Sequence, residues 1–433
     1  MLDQQRLVVA VFMAGVLVSC KKEAEGTPPE VTILSPASGH DLAIPDTLHV
    51  VADVSGAGAV DNVSFTITDA NGIPIMAPLI VVPSSDPARL EVDIPIVSDL
   101  LAGGDHTLTV QANTADASGR DQRGIDIFPA PLRLRRVLVI GQPAPGTVSV
   151  HVIDSTGSVS QVNTMAMDLA GGAVSSAGRT FAIMGAVDGP LTAFAPDGMH
   201  VPWQKPNLSG SGIPWFTSLD LCTDGRYHVG MTDGTIRGYN AATGAAERLA
   251  SLASLHRART SLIVGDRLLV AQEHQSGASW KLGVYLSSSG TLVAEQPLDQ
   301  ETVALFRRDG SHALLFGNRD GQGVVEDRDI PNGGGWEPYL WNSDITAAEQ
   351  VDANTYLIAL ADGRIERFTY ANAGSIIIGS FAVTRDLAYE PVSGLVYLAS
   401  GSDVLAIDPQ EGTTTISWSI GHPVRYVLPL LNR

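Results

Sequence analysis

The sequence feature that most restricts the fold is a repeat that runs through about the last 300 residues. A short apolar strand pattern recurs about every 40 to 47 residues, which is the length of one four-stranded propeller blade. The copies begin at Arg136, Arg179, Arg226, Arg267, Ser311, Thr355 and Leu395. Because one such unit cannot bury its apolar face alone, neighbouring copies are expected to pack against each other.

Turn residues divide each copy into four strands. Asp233-Gly234 and Asp362-Gly363 follow the opening strand, and Asp-Gly suits a tight hairpin because glycine adopts positive φ without penalty. A second turn follows at Asp197-Gly198, Thr243-Gly244, Ser289-Gly290 and Glu411-Gly412. Four strands in each of seven copies predict a C-terminal seven-bladed β-propeller over residues 134–433.

The end of the chain supports a closed ring. The segment from Pro423 to Leu430 has the pattern of the strand that precedes an opening, but no opening follows it. We expect this strand to pair with Arg136 to Ile140 and complete the first blade, which removes two exposed strand edges. The alternatives are an open solenoid or two sandwiches.

Residues 30–130 predict an immunoglobulin-like β-sandwich. Apolar and polar residues alternate in short runs separated by Gly, Pro and Asp, as expected when one face of each strand is buried. The clearest strands are Val31–Leu34, Leu48–Ala52, Val63–Ile67, Leu90–Ile94, His106–Val110 and Gly124–Ile127. The fold class is therefore all-β, with an N-terminal Ig-like sandwich followed by the propeller.

The first residues have the layout of a signal peptide. Arg6 supplies a basic charge, an apolar stretch too short to span a bilayer follows, and Leu17-Val18-Ser19 precedes Cys20. The alternative is an ordinary secretory peptide with an accidental cysteine. Residues 20–29 are polar and Pro-rich, which predicts a flexible tether.

The four residues Leu17 to Cys20 resemble the lipobox of bacterial lipoproteins. The resemblance implies that residues 1–19 are removed and that Cys20 carries a diacylglycerol thioether and an acyl chain such as palmitate. Lys21-Lys22-Glu23 is similar to the surface-export signals of Bacteroidota lipoproteins, and the opening from Pro29 resembles the Ig-like modules of such proteins. These resemblances imply an outer-membrane location, with the cell surface favoured over the periplasmic face.

Charge and cysteine content exclude some partners. The chain has 46 acidic and 27 basic side chains and a formal net charge of -19, so nucleic acid is not an expected partner. Cys222 is the second of two cysteines, which excludes an internal disulfide if Cys20 is lipidated. No stretch after the signal peptide is apolar enough to predict a membrane-spanning helix.

The repeat resembles the YVTN, WD40 and quinoprotein-like propellers, most closely at Asp233 to Gly244. The resemblance implies the fold but not a function. In such a propeller, the loops between the second and third strands share one face with the loops that lead into the innermost strands. Candidate ligand-binding residues on that face are Trp215, Glu273, His274, Trp280, Asn318, Arg319 and Asp320.

Aromatic and polar groups on that face suit a glycan or a peptide segment. The alternative for both tryptophans is packing between neighbouring blades. Asn318 to Gly321 resembles part of a calcium loop, but a plain Asp-Gly hairpin is the competing interpretation and no metal or cofactor site is predicted. The motifs of zinc proteases, serine hydrolases and nucleotide-binding loops are missing, so no catalytic residue is assigned.

Three functions agree with this sequence. The favoured one is a non-catalytic, membrane-anchored lipoprotein whose propeller binds a protein or a glycan. A structural subunit of an outer-membrane complex and a propeller-type hydrolase or lyase acting on polysaccharide or peptide are the alternatives.

Overall fold

The computed structural model describes residues 27–56, 60–209, 212–277 and 279–433. The predicted signal peptide, the lipidation site at Cys20 and most of the predicted tether lie outside the described residues. The chain divides into two compact units, Met1–Pro131 and Leu132–Arg433. Within the described ranges, no helix is long and apolar enough to cross a membrane.

The described part of the first unit is a sandwich of two sheets. Its strands are β1 (Glu30–Ser35), β2 (His40–Ala43), β3 (Asp46–Ser55), β4 (Asn62–Thr68), β5 (Leu79–Val81), β6 (Ala88–Ile96), β7 (Gly104–Asn113) and β8 (Ser118–Phe128). One sheet has the order β1-β3-β6 and the other the order β2-β8-β7-β4-β5. The pairing is antiparallel except between β2 and β8.

Alternation along the strands produces the sandwich core. In β4, Val63, Phe65 and Ile67 are buried while the residues between them are partly exposed. The inner faces of both sheets contribute such residues to one apolar core, as two packed sheets require. The six strands predicted from the sequence correspond to β1, β3, β4, β6, β7 and β8, whereas the short edge strands β2 and β5 were not predicted.

Seven four-stranded sheets make up the described part of the second unit, and we number them as blades 1 to 7. Blade 1 contains β9 (Leu134–Ala144), β10 (Thr147–Ile153), β11 (Val159–Ala166) and, last in the chain, β36 (Val424–Leu431). Blade 2 contains β12 (Gly171–Ser175), β13 (Thr180–Met184), β14 (Leu191–Phe194) and β15 (Trp203–Lys205). Blade 3 contains β16 (Phe216–Leu221), β17 (Arg226–Met231), β18 (Thr235–Asn240) and β19 (Ala246–Ser251).

The remaining blades follow in chain order. Blade 4 contains β20 (His256–Val264), β21 (Arg267–His274), β22 (Trp280–Leu286) and β23 (Leu292–Leu298). Blade 5 contains β24 (Glu301–Arg307), β25 (His312–Arg319), β26 (Gln322–Asp329) and β27 (Gly335–Trp341). Blade 6 contains β28 (Ile345–Gln350), β29 (Thr355–Leu360), β30 (Arg364–Thr369), a 3-10 turn (Tyr370–Asn372) and β31 (Gly374–Ser380), and blade 7 contains β32 (Thr384–Glu390), β33 (Leu395–Ser400), β34 (Asp403–Ile407) and β35 (Thr414–Ser419).

The ring closes through the C-terminal strand. β36 pairs antiparallel with β9, with Val427 opposite Val139 and Leu428 opposite Leu138. The innermost strands β36, β12, β16, β20, β24, β28 and β32 each contact the next, and the last contacts the first. The second unit is therefore a seven-bladed β-propeller closed by its chain end, and the seven openings found in the sequence fall on the second strands of the blades.

Apolar packing in the propeller is divided among the gaps between blades. Between blades 5 and 6, Phe316, Trp341, Tyr356 and Phe368 are almost completely buried against one another, with several ring centroids 5.3 to 6.3 Å apart. Edge-to-face and tilted aromatic pairs at these distances contribute beyond the area they bury. Each blade is thus held by its two neighbours.

Candidate functional site

A cavity of about 630 Å3 occupies one end of the central channel. We call this end the mouth, and it is the end at which the innermost strands begin. Residues from all seven blades line it, including Tyr426, Gly171, Thr217, Arg259, Glu301, Asp344 and Arg385 in blades 1 to 7. The size falls within the usual range for small-ligand pockets, and the lining is rich in charged and hydroxyl groups.

Bulges in the innermost strands shape the mouth. In six blades, one residue near the start of the strand is skipped in the pairing with the second strand: Thr217, Arg259, Val303, Thr346, Arg385 and Arg425. The innermost strand of blade 2 pairs without such a shift. Because a bulge adds one residue and re-aims its side chain, the ring carries an extra residue at the same level in six blades. Three of the six are arginines.

Arg259 is neutralised by neighbouring acids. Its guanidinium lies 3.0 Å from the Glu301 carboxylate of blade 5 and 3.7 Å from that of Glu273. Arg257 also donates to Glu273, from Nε at 2.9 Å and with Nη2 at 2.8 Å. One side of the mouth is therefore an ion-pair network whose charges are largely balanced.

The other two arginines lack acidic partners. Arg425 donates to the neutral side-chain amide oxygen of Gln142 at 3.1 and 3.2 Å. Arg385 is exposed, and its side chain forms no hydrogen bond or ion pair with any residue in the described ranges. These two residues occupy the same bulge position in adjacent blades, and of the two it is Arg385 that lines the cavity, together with Asp344, an acid that forms no ion pair with a described residue.

Three carboxyl groups lie on the innermost strands with raised pKa values. Burial raises the pKa of Asp220 to about 6, that of Asp386 to about 7 and that of Glu349 to about 8. The charge of Asp386 raises the pKa of Glu349 further. All three retain partial exposure as residues, although many protein atoms surround their carboxyl groups.

These carboxyl groups link neighbouring blades. Asp386 accepts a hydrogen bond from the Val427 backbone N–H at 2.8 Å, and Glu349 accepts one from the Tyr389 N–H at 3.1 Å. Asp220 accepts from the Ser261 N–H at 3.0 Å and from the Thr260 hydroxyl at 3.0 Å. Each acid therefore links its own innermost strand to the innermost strand of the next blade, and this structural role accounts for its burial.

A second polar cluster lies in blade 1. The Nε2 atom of His422 lies 3.0 Å from the Ser149 hydroxyl and 3.2 Å from Nε2 of His151. Burial, together with the neighbouring His422 ring, lowers the pKa of His151. A Cβ at Gly141 would come within 2.3 Å of the His422 ring, so glycine is required for this ring to pack there. The cluster ties the loop before β36 to the body of the blade.

Of the residues predicted as ligand contacts, Asn318 lines the mouth cavity. Its side-chain amide bonds the backbone of Ile345 in both directions, with Nδ2 donating at 2.9 Å and Oδ1 accepting at 2.6 Å. Trp215 packs against the core between blades 2 and 3, and Trp280 against the core between blades 4 and 5. Both tryptophans therefore pack between neighbouring blades, and their contact with a ligand stays a prediction.

The remaining predicted residues lie outside the cavity lining. Glu273 is 8% exposed and held by Arg257, while the ring of His274 lies 2.6 Å from the Ser276 hydroxyl. Arg319 is bound by Asp299 and Glu337 at 2.6 Å. Asp320 is exposed in the turn between β25 and β26 with a φ of 53°.

The calcium-like motif forms a hairpin turn. Gly321 follows Asp320 with a φ of 80°, and Arg319 pairs with Gln322 across the turn. In the part of the chain that the structure describes, no group of three or more His, Cys, Asp or Glu side chains is placed to hold a metal ion. The competing interpretation of this motif as an Asp-Gly hairpin thus describes its geometry.

Sequence reasoning missed Arg259, Arg385 and Tyr426, which line the cavity. Each lies at or beside a bulge, and a bulge leaves no distinct signal in the apolar pattern of one short strand. The available signal was an arginine at the start of an otherwise apolar strand pattern, recurring at the blade spacing.

Comparison with known families and structures covers both units. The family model for a bacterial Ig domain matches residues 29–110. No curated protein matches the chain. The N-terminal unit is thus similar to bacterial Ig domains over most of its described length.

Solved structures similar to this chain include three proteins of low sequence identity. The structure of apo AztD from Citrobacter koseri is 9% identical with a TM-score of 0.44, covering 68% of this chain and 98% of that one. Dihydro-heme d1 dehydrogenase NirN in complex with DHE is 13% identical with a TM-score of 0.47, covering 66% and 63%. The Dos1 propeller is 10% identical with a TM-score of 0.46, covering 67% and 96%. At these identities the likeness concerns the fold, and no ligand or activity is taken from it.

Proposed function

We propose that this chain is a lipid-anchored binding protein, held to the bacterial outer membrane through Cys20, whose propeller binds a partner non-catalytically at the mouth. The observation that carries the proposal is the cavity of about 630 Å3 to which all seven blades contribute polar residues. A rigid ring that presents several strand starts and loops around one cavity is a frequent arrangement for binding sites.

The chemistry of the lining favours a glycan over a protein segment. The lining is mostly polar and includes the charged side chains of Arg385 and Asp344, and Tyr426 is the aromatic residue among the described residues that line the cavity. Sugars need many hydrogen-bonding partners for their hydroxyls, whereas protein interfaces usually centre on apolar and aromatic side chains. We therefore favour a saccharide as the ligand.

The non-catalytic assignment rests on the engagement of the acids other than Asp344, which lines the cavity as a single carboxyl group without an ion pair among the described residues. Glu301 pairs with Arg259, and the channel acids Asp220, Asp386 and Glu349 each accept a backbone hydrogen bond from the next blade. A general acid or base has to reach the bond that it cleaves. These carboxyl groups are instead oriented toward the neighbouring strand.

Filling the mouth tests this proposal. Ala361 is exposed and lines the cavity, so Ala361→Trp should abolish binding to a glycan array on which the native chain gives a signal. Ala353→Trp is the matched control, since Ala353 is an exposed residue in the turn before β29, at the opposite end of the blade. Array binding that survives Ala361→Trp, or a native chain that binds no glycan or protein at all, contradicts the proposal.

The anchor has a separate test. Cys20→Ser should abolish labelling by an alkyne analogue of palmitate, because the lipobox resemblance places the acyl chains that hold the protein on the bilayer at Cys20. Protease added to intact cells should digest the native chain if it faces outward. A native chain that incorporates no alkyne palmitate would refute lipid anchoring.

A propeller-type hydrolase or lyase is the second candidate. The observation that favours it is the set of pKa values near neutrality for Asp220 and Asp386, since catalytic acids and bases are often tuned to that range. It predicts that polysaccharide incubated with the chain gains reducing ends or unsaturated ends, and that Asp386→Asn abolishes the gain. Unchanged polysaccharide that binds at the mouth would exclude this candidate.

A further inference from the structure

We propose that the mouth binds a zwitterionic saccharide, which carries a protonated amine and a carboxylate, and that Asp344 receives the amine while Arg385 receives the carboxylate. The inference rests on the proposed binding function and names the class of its ligand. It starts from two side chains of opposite charge that line the same cavity from adjacent blades without forming an ion pair.

The described lining contains four charged side chains, and they fall into two pairs of different kinds. Arg259 of blade 4 and Glu301 of blade 5 form an ion pair at 3.0 Å across the gap between their blades. Arg385 of blade 7 is exposed and Asp344, directly before β28 of blade 6, is partly exposed. Neither of these two side chains forms a hydrogen bond or an ion pair with a described residue. One positive and one negative charge of the lining therefore remain available to a ligand.

The inner strands of blades 6 and 7 offset these two charges. The Thr346 hydroxyl donates to the Thr384 backbone carbonyl at 2.7 Å, which fixes β28 beside β32 directly before Arg385. Asp344 precedes Thr346 by two residues, so its backbone lies roughly 7 Å earlier along the chain at the usual rise of an extended segment. A ligand that reaches both side chains thus needs its own two charges on separate parts of its frame.

Opposite charges in one cavity select by repulsion as well as by attraction. A ligand that carries only a carboxylate can pair with Arg385, but it also meets the like charge of Asp344. A ligand that carries only an amine meets the reverse situation. Each singly charged ligand also leaves one charge of the lining without a partner, and such mismatches are a source of specificity. A zwitterion matches both, and its carboxylate can accept two parallel hydrogen bonds from the guanidinium.

An amino sugar linked to a uronate has the required arrangement, because its amine and its carboxylate lie on neighbouring rings. A peptide with one lysine and one glutamate carries the same two charges. Peptide segments, however, are usually held by apolar and aromatic contacts, whereas this lining is mostly polar and has Tyr426 as the aromatic residue among its described members. We therefore favour the sugar.

Titration calorimetry with a disaccharide of glucuronate and glucosamine tests the inference on the full chain, at a mildly acidic pH that keeps the sugar amine protonated. Two matched probes each lose one charge, since N-acetylation removes the positive charge and methyl esterification removes the negative one. We expect the native chain to bind the zwitterion at least fivefold more tightly than either derivative. Asp344→Asn should abolish the preference over the N-acetyl form and keep the preference over the ester, and Arg385→Gln should do the opposite. A merely structural role of either residue would change both preferences together.

Arg120→Gln and Asp116→Asn are the control variants, because both residues are exposed in the sandwich and their loss changes net charge equally. Equal affinity for the zwitterion and both derivatives, or preferences unchanged in Asp344→Asn and Arg385→Gln, overturns the inference. Tighter binding of a lysyl-glutamate dipeptide with blocked termini overturns the sugar assignment. Binding of neutral saccharides alone that Ala361→Trp abolishes would refute the zwitterionic class and leave the proposed function standing, whereas the absence of any binding sensitive to Ala361→Trp would refute both.

Discussion

The two units of this chain bury their apolar side chains in different ways. The sandwich buries one continuous apolar core, and among the described residues His106 is its one buried polar side chain. The propeller divides its apolar residues among the gaps between blades and buries many polar side chains, such as Gln272, Glu326, Asp327 and Glu366.

The difference follows from the geometry of the two folds. Two sheets packed face to face need apolar inner faces and leave polar groups outside. A ring of blades surrounds a channel, so its innermost strands face both apolar neighbours and solvent, and their polar groups need partners in the next blade. The sandwich therefore presents few buried polar side chains that could form a site. The candidate site lies in the propeller, among the polar residues of its innermost strands.

Removing the closing strand should have the largest effect on this comparison. Without residues 424–433, β9 of blade 1 loses its partner and the ring opens between blades 1 and 7. We expect the propeller to lose its cooperative thermal transition while the sandwich, which has its own core, keeps one. Circular dichroism and calorimetry of the truncated and full chains measure this, and a propeller transition that survives truncation would show that closure is not needed.

A cavity in the sandwich core should have the next largest effect. Phe65 is 1% exposed, so Phe65→Ala is expected to lower the free energy of unfolding of the sandwich by about 3 to 5 kcal/mol. Phe316→Ala, between blades 5 and 6, is the matched change in the propeller. Each variant should shift the transition of its own unit in chemical denaturation. If either substitution shifts both transitions, the units are not independent.

A smaller, pH-dependent effect is expected at Asp386. Its pKa is raised to about 7 in the folded chain, so between about pH 4 and pH 7 the folded state binds more protons than the unfolded state. The contribution of this residue to stability is therefore lost as the pH rises through that window. The amide of Asp386→Asn does not titrate. The free energy of unfolding of this variant minus that of the native chain should therefore be roughly 1 to 3 kcal/mol larger at pH 8 than at pH 4.

Urea denaturation of the propeller at the two pH values measures the difference. Glu91→Gln is the control, because Glu91 is an exposed residue of β6 in the sandwich. A constant difference between Asp386→Asn and the native chain at pH 4 and pH 8 would show that this carboxyl group does not carry the pH dependence.

The fold was more accessible from the sequence than the site. The 40-to-47-residue period and the Asp-Gly turns predict the architecture, because apolar alternation and turn chemistry are local properties of the sequence. Closure by the segment from Pro423 was also predicted. The mouth depends instead on bulges at Arg259, Arg385 and Arg425, and on which arginines find an acid in another blade. Those partners are about 40 residues or more away, and no local pattern encodes them.

The smallest effect is expected at Arg319, which the sequence suggested as a ligand contact. Its guanidinium already binds Asp299 and Glu337, whose side chains are 67% and 35% exposed. Exposed ion pairs contribute about 0 to 1 kcal/mol, so Arg319→Ala should lower the free energy of unfolding of the propeller by less than about 1 kcal/mol. Because both acids compete with any ligand for this side chain, affinity at the mouth should stay within twofold of the native value. A tenfold loss of affinity in Arg319→Ala, measured beside Ala361→Trp, would show that the binding surface extends from the channel to the rim of blade 5.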